Sequence, residues 1–329
     1  MTSNSTSSKP DFWYWVRAAL ANRPVNDGPP HGDDLPPVYR VNDYWAMARQ
    51  GESWRAQRAH LVLLLLATVT AVLAGQLGSR VQAVLAAVLY GLTLVVGARA
   101  ARRRADPDGH LHRVAAETVK SMAWLYMVHG GPFHSRVADP EALFTERLEG
   151  AFRQLRTMGW QDPLSTGPLP DSDQITPTMR TLRAKPLQAR RDAYLRDRLQ
   201  EQTEWYRRVS AKAQTAARLW SAATITATLL ALLTTALQAA GLIGGWCVAG
   251  LLSTAVAAAV AWQEARRFRP TAATYALVEQ DLETARIAMA TTVTEENWAG
   301  AVAETERLMS PPYTDLLMRG GPWHASAPS

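Results

Sequence analysis

The sequence predicts an all-α integral membrane protein: two transmembrane helical hairpins, four spans in all, joined to long cytoplasmic helices. Three observations carry that expectation. Forty-five consecutive residues, Leu219 to Gln263, hold no formal charge, and Gly241-Leu242-Ile243-Gly244-Gly245 interrupts them midway. A second pair of uncharged runs, Leu61–Ser79 and Val81–Ala98, flanks the turn at Gly78-Ser79-Arg80. Arginine clusters stand outside both pairs. A bilayer core about 30 Å thick takes about 20 apolar residues to cross as helix, and lipid offers the backbone no other hydrogen-bond partners. Soluble helices almost always show a charged face, and the 219–263 pair has none.

Composition agrees. The 329 residues are 47% hydrophobic, yet mean hydropathy is only −0.14, so membrane spans alternate with large polar parts. Net charge is +6. Nucleic-acid binding is not expected, because no basic stripe or reader motif is present and much of the arginine borders apolar runs. The single cysteine, Cys247, excludes a disulfide framework or a cysteine zinc site within one chain.

In chain order, residues 1–40 are rich in Ser, Pro, Asn, Asp and Gly and read as a mobile arm. Its aromatic segment Asp11-Phe12-Trp13-Tyr14-Trp15-Val16-Arg17 suits either a membrane interface or docking onto the folded part. Residues 41–135 form a first hairpin unit, with Asn42 or Asp43 capping its first helix and spans at about 60–78 and 81–98. Asp106-Pro107-Asp108-Gly109 is expected to break the chain before a helix over 111–128. Residues 136–186 are a helix and a Pro-rich linker. Asp139-Pro140 starts that helix, with Phe144, Leu148, Phe152, Leu155 and Met158 along one face. Residues 187–310 form a second unit, with a helix running from Leu187 into the third span. Its spans are at about 219–240 and 246–263, a break follows at Pro270, and one helix covers 271–309. Residues 311–329 are a tail. The same plan thus occurs twice.

The arginines set the orientation. Arg55, Arg58, Arg99, Arg102–Arg104, Arg207, Arg208, Arg218, Arg266, Arg267 and Arg269 all border the outer ends of the spans. Positive charge stays inside, so both termini and the linker are expected in the cytoplasm of a multi-pass inner-membrane protein.

The third span carries a polar stripe of Ser221, Thr224, Thr228, Thr235 and Gln238, with Ala231 between, within about 100° of a helix wheel. Small hydroxylated faces pack helices together; in an oligomer the same face lines a wet pore. Both readings stand. Gly250, Ser253, Thr254, Ala257 and Ala261 give the fourth span a packing face. No strongly ionisable residue lies within a span, which argues against an active transporter. Enzyme chemistry is not expected: His110-Leu111-His112 with Glu117 reads as exposed polar surface, no catalytic motif is present, and no cofactor is expected.

Two helices beside the hairpins mix aromatic and charged residues at helical spacing: Glu117, Lys120, Trp124 and Met127 on one, and Tyr194, Arg198, Gln202, Trp205 and Tyr206 on the other. These are candidate stalk contacts. The second set, Tyr194-Leu195, Arg198-Leu199, Gln202 and Trp205-Tyr206, followed by a basic helix and an uncharged hairpin, resembles the SLATT family of two-span membrane domains. Ala116-Glu117-Thr118, Lys120-Ser121 and Ala123-Trp124 resemble the signature of a second SLATT subtype, with Thr118 in place of a serine. Trp298 resembles the tryptophan of that family's following helix. The resemblance covers about 41–133 and 187–305. It implies membrane hairpins with cytoplasmic helices, and association with nucleotide-signal and SLOG-type sensor systems. It further implies a pore-forming or membrane-disrupting effector in a conflict system, such as phage defence by cell suicide; since a single hairpin encloses no pore, a homo-oligomer is expected. No sensor domain is read in the chain, so the trigger is expected from a soluble partner or from the stalk. A non-conducting anchor that presents its helices to a partner is the alternative.

Overall fold

The structure, a computed structural model, describes residues 34–102, 105–160, 174–242, 248–291 and 293–310. The aromatic arm segment, the tail, Arg103 and Arg104, residues 161–173 of the Pro-rich linker and residues 243–247 of the second turn lie outside them. Those described are helical, with no strands among them, and four helices are long and apolar enough to cross a bilayer. Among the described residues, nine α-helices make up the architecture: α1 (Pro37–Leu77), α2 (Arg80–Arg102), α3 (Ala105–Val128), α4 (Pro140–Thr157), α5 (Pro177–Arg183), α6 (Leu187–Ala239), α7 (Val248–Arg266), α8 (Phe268–Thr291) and α9 (Glu295–Leu308).

The two hairpins are α1–α2 and α6–α7. In each unit a third helix, α3 or α8, runs back along the first. The outward faces of the spans are apolar and exposed: Val62, Leu66, Val84, Leu85, Val88 and Leu94 in the first hairpin, and Ile225, Leu229, Leu232 and Leu233 in the second. In water such a belt would be a liability; in lipid it is the matching solvent. Gly78 makes the first turn at φ 58°, a left-handed conformation that costs glycine little.

Outside the spans, apart from a small cluster of Tyr206, Val278, Leu282 and Met309, the buried residues form one main core. Val38, Val119, Ala123, Phe133, Phe144, Phe152, Met179, Leu199, Trp298 and Val302 all belong to it. The α4 helix starts as Asp139-Pro140 requires: the Asp139 carboxylate accepts from the Ala142 N–H at 2.9 Å. Its buried face is Phe144, Leu148, Phe152 and Leu155, while Met158 points to solvent.

Several boundaries differ from the sequence reading, each for a local reason. The first helix begins at Pro37, so Asn42 lies inside it and donates to the Val38 carbonyl at 2.9 Å instead of capping. Asp106-Pro107 falls in the opening turn of α3, where a proline is tolerated. The stretch before Pro186, read as loop, contains α5, capped by Thr176, whose hydroxyl accepts from the Met179 N–H. The break after the fourth span comes at Arg267, at φ 48°, and Pro270 sits in the first turn of α8. A further break separates α8 from α9, where Thr294 and Asn297 form a reciprocal cap. His112 is buried: its Nδ1 lies 2.9 Å from Asn42 Oδ1, which also accepts from Trp160 Nε1 at 3.1 Å. His110 alone is surface.

Candidate functional site

The C-terminus of α3 is where the two halves of the chain are tied. A helix end leaves four carbonyls without intrahelical partners. Here the Gly130 N–H meets the Leu125 carbonyl locally, at 2.8 Å, and the other donors come from distant elements. Arg183 on α5 donates to the Tyr126 carbonyl at 2.5 Å and, through its other terminal nitrogen, to the Phe133 carbonyl at 3.1 Å. Arg190 on α6 donates to the Val128 carbonyl at 2.8 Å and pairs with Glu295 on α9 at 2.9 Å. The Trp298 indole on α9 also donates to the Val128 carbonyl. Cations at a helix C-terminus gain from the macrodipole as well. Gly130 follows directly, and a Cβ there would meet Val302 Cγ1 at 2.6 Å. Only glycine lets α9 pack this close.

One layer deeper sits a buried charge pair. Arg198 and Glu306 are 2% and 3% exposed and form a two-pronged contact: Nε to Oε1 at 3.0 Å and Nη2 to Oε2 at 2.7 Å. The Tyr194 hydroxyl adds a third bond to Glu306, at 2.9 Å. The Tyr194 ring stands edge-on between Trp124 and Trp298, 5.9 Å from each. Charge-assisted bidentate bonds are the strong kind, and a buried pair is tolerated only when its remaining polar atoms are met. Burial opposes the Arg198 charge, but the Glu306 carboxylate outweighs it and raises that guanidinium above its ordinary range. Burial and the same carboxylate raise the Tyr194 phenol.

Glu117 and Lys120 flank this pair. Glu117 bonds Arg113 at 2.8 Å. Burial pushes its carboxyl up, yet the Arg113, Lys120 and Arg198 charges win and hold it below the usual carboxylate range. Lys120 is buried with its ammonium 6.0 Å from the Tyr39 ring. Burial and the Arg198 charge both lower its pKa against the pull of Glu117. Trp205, Tyr206 and Tyr275 form a separate aromatic group below, with ring centres 4.9 to 5.6 Å apart. Gln202 lies half-buried on the same helix.

Tyr194, Arg198 and Leu199 are all buried within a π-helical stretch of α6, Tyr194–Gln200. A π turn is rare and recurs at functional sites. Its wider winding places Tyr194 and Arg198 on the face that meets α9. From there α6 continues unbroken into the membrane, 53 residues in all or about 80 Å.

In the membrane the polar stripe divides. Ser221, Thr224, Ala231 and Gln238 are half-buried along the hairpin, whereas Thr228 and Thr235 are exposed. Gln263 on α7 donates to the Thr224 hydroxyl at 3.2 Å, and Arg269 to the Ser221 hydroxyl at 3.0 Å. Thr228 and Thr235 return their hydroxyls to their own helix, bonding the carbonyls of Thr224 and Ala231.

The sequence stripes named Glu117, Lys120, Trp124, Tyr194 and Arg198, and the structure brings these five together. They did not reveal Glu306, Arg183 or Arg190. Glu306 lies in Ala303-Glu304-Thr305-Glu306-Arg307, which reads as an ordinary charged surface turn, and no local signal marks it as buried.

Comparison with known proteins bears on both halves separately. The family model described as SMODS and SLOG-associating 2TM effector domain 3 matches residues 36–191. The model described as SMODS and SLOG-associating 2TM effector domain 1 matches residues 194–315. No curated protein matches, and no solved structure matches. Two hairpin units, each matched by its own subtype and tied where the Trp298 indole reaches the Val128 carbonyl and the Tyr194 ring meets Trp124, place the chain in the SLATT family of two-transmembrane effector domains, with subtypes 3 and 1 in tandem.

Proposed function

We propose that the protein is a homo-oligomeric, pore-forming effector of a prokaryotic conflict system, such as phage defence by cell suicide, set in the inner membrane with both termini cytoplasmic. The supporting observation is the course of α6. One helix carries Tyr194 and Arg198 in the buried cluster and Thr228 and Thr235 on an exposed face within the membrane. A single hairpin encloses nothing, so these exposed threonines line a conducting path only when copies assemble. The stalk holds the path shut while the Arg198–Glu306 pair is intact. A soluble partner, such as a nucleotide-signal sensor, opens it by disturbing that cluster.

Ion flux through liposomes containing the purified full-length chain tests this, with oligomeric state measured in the same detergent. The wild-type chain should form a defined, tight oligomer, and Glu306→Ala, which breaks the pair, should make that oligomer release a trapped ion. Replacing Thr224, Thr228 and Thr235 together by Leu in that background should abolish release without changing the assembly. Unchanged flux in that variant sinks the lining assignment.

The bond from Gln263 to Thr224, together with the half-burial of Ser221 and Gln238, favours a second reading. There the stripe is packing, and the protein is a membrane anchor that presents its stalk to a partner. An oligomer that stays tight in Glu306→Ala as well, and whose stalk captures a soluble protein without leaking, would support that reading.

A further inference from the structure

Where the first hairpin meets the second, α1 and α7 carry the same pair of residues four apart: Trp54 with Arg58, and Trp262 with Arg266. The helices cross so that each arginine lies on the other helix's indole. The Arg266 guanidinium stacks on the Trp54 ring at 3.4 Å from its centroid, and the Arg58 guanidinium lies 6.0 Å from the Trp262 ring. Arg266 also lies 5.3 Å from its own Trp262 and 5.6 Å from Phe268. The two cations are close enough for the Arg58 charge to be felt at Arg266.

The polar atoms here share one character. Arg58 Nε and Trp262 Nε1 are buried with no hydrogen-bond partner among the described residues. So is Trp220 Nε1, on α6 one turn before the Thr224 that Gln263 contacts. All three are donors, and donors only. A buried donor without an acceptor is costly, and beside two arginines an acceptor that carries negative charge is favoured over a neutral one. An oxyanion answers both needs at once.

Location narrows its source. Arg58 stands three residues before the uncharged run that opens at Leu61, and Arg266 three residues after Gln263. At 1.5 Å per residue both lie about 4.5 Å outside the apolar segments. Phosphates of lipid headgroups occupy that depth, and basic pockets between spans on the positive side bind anionic headgroups. Retention of positive charge on one side does not require this geometry. Arg55, Arg99, Arg218 and Arg269 border the same spans, are exposed and suffice for orientation.

We propose that Arg58, Arg266 and the Trp262 indole N–H form a phosphate-binding site between the two hairpins, occupied by the headgroup of an anionic phospholipid. Bound there, the phosphate bridges α1 and α7 and fixes the angle between the hairpins.

The test uses purified full-length protein. Phosphatidylglycerol, phosphatidylcholine or inorganic phosphate is added, bound molecules are counted by native mass spectrometry, and the melting temperature is recorded. Wild-type protein should retain one phosphatidylglycerol per chain and melt higher with it than with phosphatidylcholine. Inorganic phosphate giving the same shift would keep the site but assign it to a soluble phosphate. Trp262→Phe keeps the ring and removes only the N–H, and should weaken retention about tenfold, the usual size for one hydrogen bond to a charged group. Arg58→Lys keeps the charge and loses the fork, and should weaken it similarly. Equal retention by wild type, Trp262→Phe and Arg58→Lys, with each variant as helical as wild type, would overturn the site. So would a wild-type chain that binds neither lipid nor phosphate.

Discussion

The Arg198–Glu306 pair gives the sharpest test of how the stalk holds together. Glu306→Ala leaves the Arg198 guanidinium buried at 2% exposure and takes away both of its carboxylate bonds. It also strands the Tyr194 hydroxyl, which bonds the same carboxylate. Arg198 Nη1 already has no partner among the described residues, and Glu117, the other carboxylate whose charge reaches Arg198, is bonded to Arg113. Removing one member of a buried pair costs about 3–5 kcal/mol, which at an unfolding entropy of about 0.7 kcal/mol/K for a chain of this size is a fall of roughly 4–7 °C in melting temperature. Arg198→Met should fall by a similar amount, because it leaves Glu306 as the uncompensated charge. The double variant Arg198→Met with Glu306→Leu removes both charges and keeps most of the volume. Apolar replacement of a whole pair is close to neutral, so the double should melt far above either single. The assay is thermal unfolding in one detergent, followed by far-ultraviolet circular dichroism and tryptophan fluorescence. If either single variant melts within about 2 °C of wild type, or the double falls by the sum of the singles, the pair is not coupled and the reasoning fails.

Three further outcomes follow from the same region. Trp298→Ala should destabilise by about 3–5 kcal/mol through the cavity it leaves, whereas Trp298→Phe should cost only about 1 kcal/mol, since Arg190 still satisfies the Val128 carbonyl; denaturant titration of both variants separates ring from N–H. Gly130→Ala drives a methyl into Val302 and Leu125 and should cost about 1–3 kcal/mol; adding Val302→Ala should recover part of that loss, and two equal melting curves for Gly130→Ala and wild type would refute the contact. The His129 imidazole has its pKa lowered from 6.5 to about 4 by burial and by the Arg183 and Arg190 charges. Between pH 6.5 and about 4 the unfolded chain therefore binds a proton that the folded one refuses, so stability should decline as pH falls through that window and this contribution should level off below it. His129→Asn, which also tolerates the left-handed φ of 62°, should flatten the decline in a melting series across that range.

Much of this architecture is legible because membranes impose strong rules. The uncharged runs 61–79, 81–98 and 219–263 announce spans without any tertiary knowledge, since lipid tolerates nothing else there. The aromatic and charged stripes announce buried helix faces for the same reason of periodicity. What stays hidden is pairing across distance. Glu306 is 108 residues from Arg198, on a helix whose local pattern is that of a surface. Asn42 reads as a cap because caps and interior hydrogen-bonded asparagines share a residue type, and only the Pro36-Pro37 start decides between them. His112 reads as surface beside His110, but residues two apart lie on opposite faces of α3, and only the face of His112 is covered, here by Trp160 from a distant segment. The polar stripe was readable as a face, but not as two faces; the line between Thr224 and Thr228 is drawn by where α7 packs.

The length of α6 has a consequence for how this chain tolerates change. A helix advances about 100° per residue, so the bearing of Thr228 and Thr235 is a phase measured from Arg198. That phase is a count of residues, and side-chain chemistry alone does not restore it. A single residue inserted between Ser210 and Arg218 would leave every contact of the buried cluster intact and every apolar residue in its span, yet turn the membrane face by about 100°. A full seven inserted there would return it nearly to register. The π-helical stretch is the one place along α6 where winding already departs from the α value. It is therefore where one residue's worth of phase is stored, and where the lineage of such a chain could gain or lose a residue without losing its aim.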